Sequence, residues 1–278
     1  MKRMRINGVH LNVEVTGKGP YVLAIHGFTG NTTTWAPLAA AAQKEYTIVA
    51  VDMLGHGASD APRDPKRYSM EHCIQDMEAL LDRLGAERVH WLGYSMGGRI
   101  ALSAAIALPQ RTSALIAESA SPGLATAEEQ AARVKDDEKL AERIEQDGIE
   151  RFVDYWGAIP LFASQSRLSA AVRDRLRAQR LTNTPLGLAN SLRGIGTGAQ
   201  PPVYELLSTL VAPTLWIAGE EDAKFAGIAR DMHRLVPGSE LRIIAKAGHA
   251  AHLEQPGEFN NAVLSFLRQH QPVSGRSR

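Results

Sequence analysis

One stretch of the chain combines a residue type, a spacing and a setting that point to nucleophile or proton-transfer chemistry: Gly93-Tyr94-Ser95-Met96-Gly97. An apolar run (Val89, Trp91, Leu92) enters it, and a helix-like segment, Arg99 to Leu108, leaves it. A serine at such a strand-to-helix turn has its hydroxyl exposed, and glycines two before and two after it let the backbone through a tight turn without a Cβ clash. The helix that follows points N–H groups at the same place. A serine hydroxyl needs a base, and the base needs a carboxylate to fix its tautomer. Both occur later, acid before histidine. Pro213 to Ala218 reads as a buried strand running into Gly219-Glu220-Glu221-Asp222, and Leu241 to Ile244 reads as the next strand, running into Ala247-Gly248-His249. Each partner thus falls on a loop after a strand, the ligand-facing edge of an open α/β sheet. Asp222 is the expected acid, with Glu220 and Glu221 facing solvent. His249 is the expected base, with His252 opening the final helix as a packing residue.

A developing negative charge at that serine also needs donors. His26-Gly27-Phe28-Thr29-Gly30 follows the apolar run Tyr21 to Ile25, which places the backbone N–H of Phe28 opposite that of Met96 as a candidate oxyanion hole. His26 reads as a packed, hydrogen-bonded residue rather than a base. Gly55-His56-Gly57, after Asp52, reads as a structural loop beside the site.

The elements that must hold these residues follow from hydrophobic patterning. Val9 to Val15, Tyr21 to Ile25 and Tyr46 to Val51 read as strands, the first in an edge hairpin and the others buried. Helical stretches follow, Met70 to Leu84 and Met96 to Leu108, then a short strand, Ala114 to Glu118. Alternating strand and helix predicts a mostly parallel central sheet flanked by helices. From about Pro122 the pattern turns to long charged amphipathic helices, and strands resume near Pro213. The expected organisation is a core of residues 1–121 and 206–271, a helical lid at 122–205, and a polar tail at 272–278.

Composition bounds the rest. At 278 residues and 44% hydrophobic, the chain can bury one large core with an insertion. With 31 basic and 30 acidic residues, no global field attracts nucleic acid or an anionic membrane. The lone cysteine, Cys73, lies on an amphipathic helix and forms no internal disulfide. The basic N-terminus lacks an apolar h-region and no run reaches membrane-spanning length, so a cytoplasmic protein without membrane association is expected, as a monomer. His and Asp spacings match no metal site, and neither a G-x-G-x-x-G nor a Walker loop is present, so no metal or organic cofactor is implied.

With the triad, the HGF loop and the DMLGHG segment in place, the chain resembles the α/β-hydrolase superfamily over nearly its whole length. That fold hosts many activities. Four further stretches narrow the resemblance: Gly93 to Arg99, Glu118 to Leu124 (ESASPGL), Phe152 to Gln165 (FVDYWGAIPLFASQ) and Leu188 to Gly194. They resemble the 2-succinyl-6-hydroxy-2,4-cyclohexadiene-1-carboxylate synthases, pyruvate-eliminating lyases of menaquinone biosynthesis. The resemblance implies that Arg99, Arg133 and Arg180 bind the carboxylates of a small tricarboxylate substrate, and that Tyr94 and Trp156 line its pocket. Arg99 has independent support, since an unpaired charge on the otherwise apolar helix Ile100 to Ala105 would be costly. Arg133 and Arg180 read equally well as solvated helix charges. Two other classes stay open: a carboxyl-ester or carbon–carbon bond hydrolase using the same triad, and a non-catalytic ligand receptor.

Overall fold

The structure is a computed structural model that describes residues 2–270; the tail expected at 272–278 lies outside the described residues. Eight strands form one sheet: β1 (Lys2–Ile6), β2 (Val9–Gly17), β3 (Tyr21–Ile25), β4 (Thr47–Val51), β5 (Val89–Tyr94), β6 (Thr112–Glu118), β7 (Thr214–Gly219) and β8 (Glu240–Ile244). Their spatial order is β1-β2-β4-β3-β5-β6-β7-β8. Every pairing from β4 to β8 is parallel, and β2 runs antiparallel to both β1 and β4. The edge strand is therefore β1, made by the basic N-terminal residues, while the strand beginning at Val9 is paired on both sides. Its cations hid it, because Lys2, Arg3 and Arg5 are exposed and only Ile6 is buried.

Central strands β3, β4 and β5 are buried almost throughout, as a sheet covered on both faces requires. One face packs against α2 (Met70–Leu84) and α3 (Met96–Ala107) through Met77, Leu80, Ile100 and Ala104. The α2 boundaries match the patterning, with Ser69 capping the N-terminus and Gly85 in the left-handed conformation ending it. The opposite face is covered by the short helix α1 (Ala36–Ala42) and the C-terminal helix Pro256–Gln269, which bury Leu38, Phe259 and Phe266 against Ile48 and Ile116.

Between β6 and β7 the described residues carry no strand. The segment holds α4 (Ala127–Gly157), a 3-10 stretch (Pro160–Arg167), α5 (Ala170–Arg180) and α6 (Pro185–Ile195). Its own small core joins Ile144, Phe152, Leu188 and Leu192, and Arg193 clasps Glu138 and Glu145 to hold α6 on α4. α4 opens on a capping box at Thr126 and Glu129 and breaks direction at Gly148. Two side chains pin this helical layer to the loops above the sheet. Asn183 donates to the carbonyl of Thr29 and accepts the N–H of Gly57, and Gln179 donates to Asn31, Thr33 and Thr34.

Candidate active site

β5 ends at Tyr94 and α3 starts at Met96, so Ser95 alone makes the turn, at φ 51° and ψ −110°. The glycines around it have a steric cause. A Cβ on Gly93 would lie 2.1 Å from the carbonyl oxygen of Gly97, and one on Gly97 would lie 2.1 Å from that of Ile25. Both obstacles are backbone, so no side-chain adjustment relieves them. The Ser95 N–H is held by the Glu118 carbonyl at 2.8 Å.

Asp222 follows β7 and caps α7 (Ala223–Leu235), its Oδ1 accepting the Phe225 N–H. Its other oxygen, Oδ2, lies 2.6 Å from His249 Nδ1, and His249 Nε2 lies 3.0 Å from Ser95 Oγ. The imidazole is 2% exposed, closed in by Phe225 at 4.5 Å between ring centroids, with Tyr94 and Phe162 beside it. Acid, base and hydroxyl thus form one continuous hydrogen-bonded line out of bulk water. The rival carboxylates turn outward as expected: Glu221 pairs with Arg167 and Glu220 accepts the Lys246 N–H.

His252 departs from expectation. It does open a short helix, Ala251–Glu254, but its ring is engaged by the fully buried Glu118 carboxylate at 2.8 Å, so it is a hydrogen-bonding residue and not only a packing one. Its neighbour Tyr94 sits between the two imidazoles, and burial, with Glu118 beside it, holds the phenol well above its ordinary pKa. Tyr94 is therefore a neutral wall, not a base. His26 is packed as expected, with Nδ1 donating to the Gly27 carbonyl and Nε2 accepting the Met53 N–H. His56 is buried beside it, its pKa lowered to about 3 chiefly by desolvation.

Ser95 and His249 open into a cavity of about 380 Å³. Phe28, Met96, Tyr94 and Trp156 line it, and so do Arg99 and Arg133. Met96 is the first residue of α3, so its N–H has no intrahelical acceptor. Arg99 is 8% exposed, donates to Gln200 Oε1 at 2.9 Å, and has its pKa brought down to about 10, mainly by burial and then by Arg133; it remains a cation at neutral pH. Arg133 shares its charge with Asp137 at 2.7 Å. The indole N–H of Trp156 is buried without a partner.

Arg180 is not among the residues lining this cavity. It lines an adjoining one of about 400 Å³ that shares Phe28, Tyr94 and Phe162 with the first. Its guanidinium lies over the Phe162 ring, 5.0 Å from the centroid, so the expected convergence of three arginines holds for two, with the third behind an aromatic wall. The cause is how two elements pack: α5 ends at Arg180 against the 3-10 stretch that carries Phe162. Arg180 is 7% exposed, its Nε has no partner, and burial lowers its pKa. Sequence reasoning missed Phe162, Phe225 and Lys224, all of which line the Ser95 cavity. The last two lie three and two residues after the acid of the triad, and that position was a usable signal. Among the described residues, no group of three or more His, Cys, Asp or Glu is arranged to hold a metal ion, and no helix is long and apolar enough to cross a membrane.

A parallel sheet with an antiparallel edge, a strained serine after its central strand, and an acid and histidine after later strands define the α/β-hydrolase fold, and the chain belongs to that family, whose model matches residues 20–256. Within it, the chain belongs with the 2-succinyl-6-hydroxy-2,4-cyclohexadiene-1-carboxylate synthases. A Bacillus subtilis (strain 168) protein provisionally given that name is 45% identical over 246 residues, which cover 88% of this chain and 89% of the relative. The solved structure of MenH from S. aureus superposes with a TM-score of 0.90 at 33% identity, covering 95% of this chain and 99% of that one. A thermophilic esterase from Thermogutta terrifontis, solved with malate bound, has a TM-score of 0.88 at 27% identity, covering 98% and 100%.

Proposed function

We propose that this protein is a lyase of menaquinone biosynthesis. It eliminates pyruvate from 2-succinyl-5-enolpyruvyl-6-hydroxy-3-cyclohexene-1-carboxylate to give 2-succinyl-6-hydroxy-2,4-cyclohexadiene-1-carboxylate. The observation that carries this reading, beside the relatives, is that Arg99 and Arg133 share one cavity with Ser95 and His249. A hydrolase of neutral esters has no use for two cations there, whereas guanidinium groups bind carboxylates through paired hydrogen bonds. The third carboxylate of the substrate falls to Arg180, reached past Phe162.

In this reading Ser95 Oγ passes its proton to His249 Nε2 and takes the ring proton α to the succinyl ketone. Asp222 holds the tautomer that makes Nε2 an acceptor and stabilises the imidazolium that forms. Electrons from the C–H bond collect on the ketone oxygen, which faces the N–H groups of Phe28 and Met96. As the carbonyl re-forms, they shift through the ring double bond and break the bond to the enolpyruvyl oxygen. The departing enolate is protonated to pyruvate, the proton coming from His249, and Ser95 is left as it began. No covalent ester on serine is formed, and no cofactor is called on. The protein acts on this small tricarboxylate as a cytoplasmic monomer, a setting in keeping with its one buried, unpaired cysteine.

A second reading, ester hydrolysis by acylation of Ser95, is favoured by the likeness to the Thermogutta esterase. One experiment separates them: pyruvate release from the proposed substrate by wild type and Ser95→Ala, with an activated ester assayed in parallel. Fast serine-dependent release with little ester cleavage is the expected result. Release at the uncatalysed rate, with brisk ester turnover, would overturn the lyase.

A further inference from the structure

The ESASPGL stretch, singled out in the sequence, is not absorbed by the triad, the oxyanion donors or the arginines. Its first residue, Glu118, ends β6 and its second, Ser119, follows the strand at the centre of the site. The Glu118 carbonyl accepts the Ser95 N–H at 2.8 Å. The Glu118 carboxylate, 0% exposed, accepts the His252 backbone N–H at 3.0 Å and the His252 ring Nδ1–H at 2.8 Å. Ser119, at φ 47°, donates its hydroxyl to the His249 carbonyl at 2.9 Å. Two adjacent residues therefore hold the backbone of the nucleophile and the loop bearing the base. The His252 ring is itself fixed among Tyr94, Trp35 and Phe259.

We infer that Glu118 and His252 form a second, non-reacting carboxylate–imidazole pair that sets the Ser95-to-His249 distance by fixing the loop from Gly248 to His252 against the tip of β6. They are positioning residues, since neither lines the Ser95 cavity. A carboxylate suits this place because it accepts two N–H groups at once, while the backbone carbonyl of the same residue accepts a third, from Ser95. Burying it in an apolar setting is tolerable only while both acceptors are satisfied, which makes the geometry nearly all-or-none.

The inference rests on Ser95 and His249 being the reacting pair, and the test includes a control for that. Wild type, Ser95→Ala, His252→Phe, Glu118→Gln and the His252→Phe/Glu118→Gln double variant are assayed for pyruvate release, with thermal midpoints and the folded fraction measured on the same samples. His252→Phe keeps ring packing but leaves the buried carboxylate short of a donor. It is expected to lower kcat per folded molecule at least tenfold with KM within twofold. Glu118→Gln alone is expected to lower kcat by less than His252→Phe does, with KM within twofold, because its amide oxygen still holds the His252 N–H while its NH₂ replaces one of the two acceptors. Added to His252→Phe, it discharges the carboxylate and should recover at least threefold of the loss. A His252→Phe enzyme that keeps its kcat, or whose loss tracks only its folded fraction, overturns the positioning role. So does a double variant no faster than His252→Phe. Full activity in Ser95→Ala would instead sink the proposed function.

Discussion

Replacing Asp222 by Asn separates the two tasks of that residue. Asp222 Oδ1 caps α7 by accepting the Phe225 N–H, and Oδ2 faces His249 Nδ1. In the Asn variant the cap dictates which way the amide lies. Only its oxygen can accept the Phe225 N–H, so the NH₂ must point at His249 Nδ1. That nitrogen then has to be the acceptor, which moves the ring proton to Nε2, where it faces Ser95 Oγ and blocks proton transfer from the hydroxyl. The fold keeps its cap and the chemistry loses its base. The same carboxylate-to-amide change in a serine protease costs about 10⁴-fold in kcat. For a proton abstraction the base as a whole supplies roughly 10²–10⁴-fold, so the expected loss lies between those bounds, about 3–5 kcal/mol at 1.36 kcal/mol per decade. Asp222→Ala should lose a similar factor in rate and, in addition, about 1 kcal/mol of stability with the cap, a fall in Tm of roughly 2–4 °C. Pyruvate release under saturating substrate, with thermal melts of both variants, reads the two effects independently. An Asn variant with kcat within fivefold of wild type would refute the tautomer argument. Equal melting losses in both variants would refute the cap.

Two other outcomes follow from buried charges. Arg180 is a cation in a low-dielectric setting with an unpartnered Nε; Arg180→Met should therefore raise Tm while raising KM for the tricarboxylate, and a higher Tm at unchanged KM would remove Arg180 from the binding site. His56 is depressed from 6.5 to about 3 and His90 to about 4, chiefly by desolvation. The unfolded chain thus binds protons the folded protein refuses, and stability present above pH 6.5 is lost as pH falls toward those values; urea midpoints at pH 7 and 5 should differ in that direction, with the difference smaller in His56→Gln.

The Asp222–His249–Ser95 arrangement was legible in the sequence because each residue is tied to backbone geometry that only certain residues permit. Gly93 and Gly97 are required by atoms 2.1 Å away, and Asp222 and His249 follow strands whose apolar runs are unambiguous. β1 was not legible as a strand, because at a sheet edge its cations face water and leave no alternation to read. The side of an aromatic wall on which Arg180 falls could not be read either. That depends on how the 3-10 stretch Pro160–Arg167 packs, a tertiary fact with no local signature. The engagement of His252 by Glu118 joins residues 134 apart in sequence, and each alone looks like an ordinary core-edge polar residue.

What separates an elimination from a hydrolysis on this scaffold is where the pocket places the substrate relative to Ser95 Oγ. The line from Asp222 through His249 to Ser95 makes an oxygen base whichever atom is set before it. If a carbonyl carbon is placed there the oxygen adds, and if an acidic C–H is placed there it takes the proton. The two cations proposed to make that choice lie on different elements, Arg99 one turn into the helix of the nucleophile and Arg133 on the first helix of the overlying layer. Arg99 is held by Gln200 from the segment leading back to the sheet, and Arg133 by Asp137, which also accepts the Gly198 N–H of that segment. One stretch of chain, Gly196 to Gln200, thus contacts both guanidinium groups, Arg99 directly and Arg133 through Asp137. In the proposed reaction the choice is therefore set by the helical layer and the segment that returns from it to the sheet, while the triad stays common to the fold.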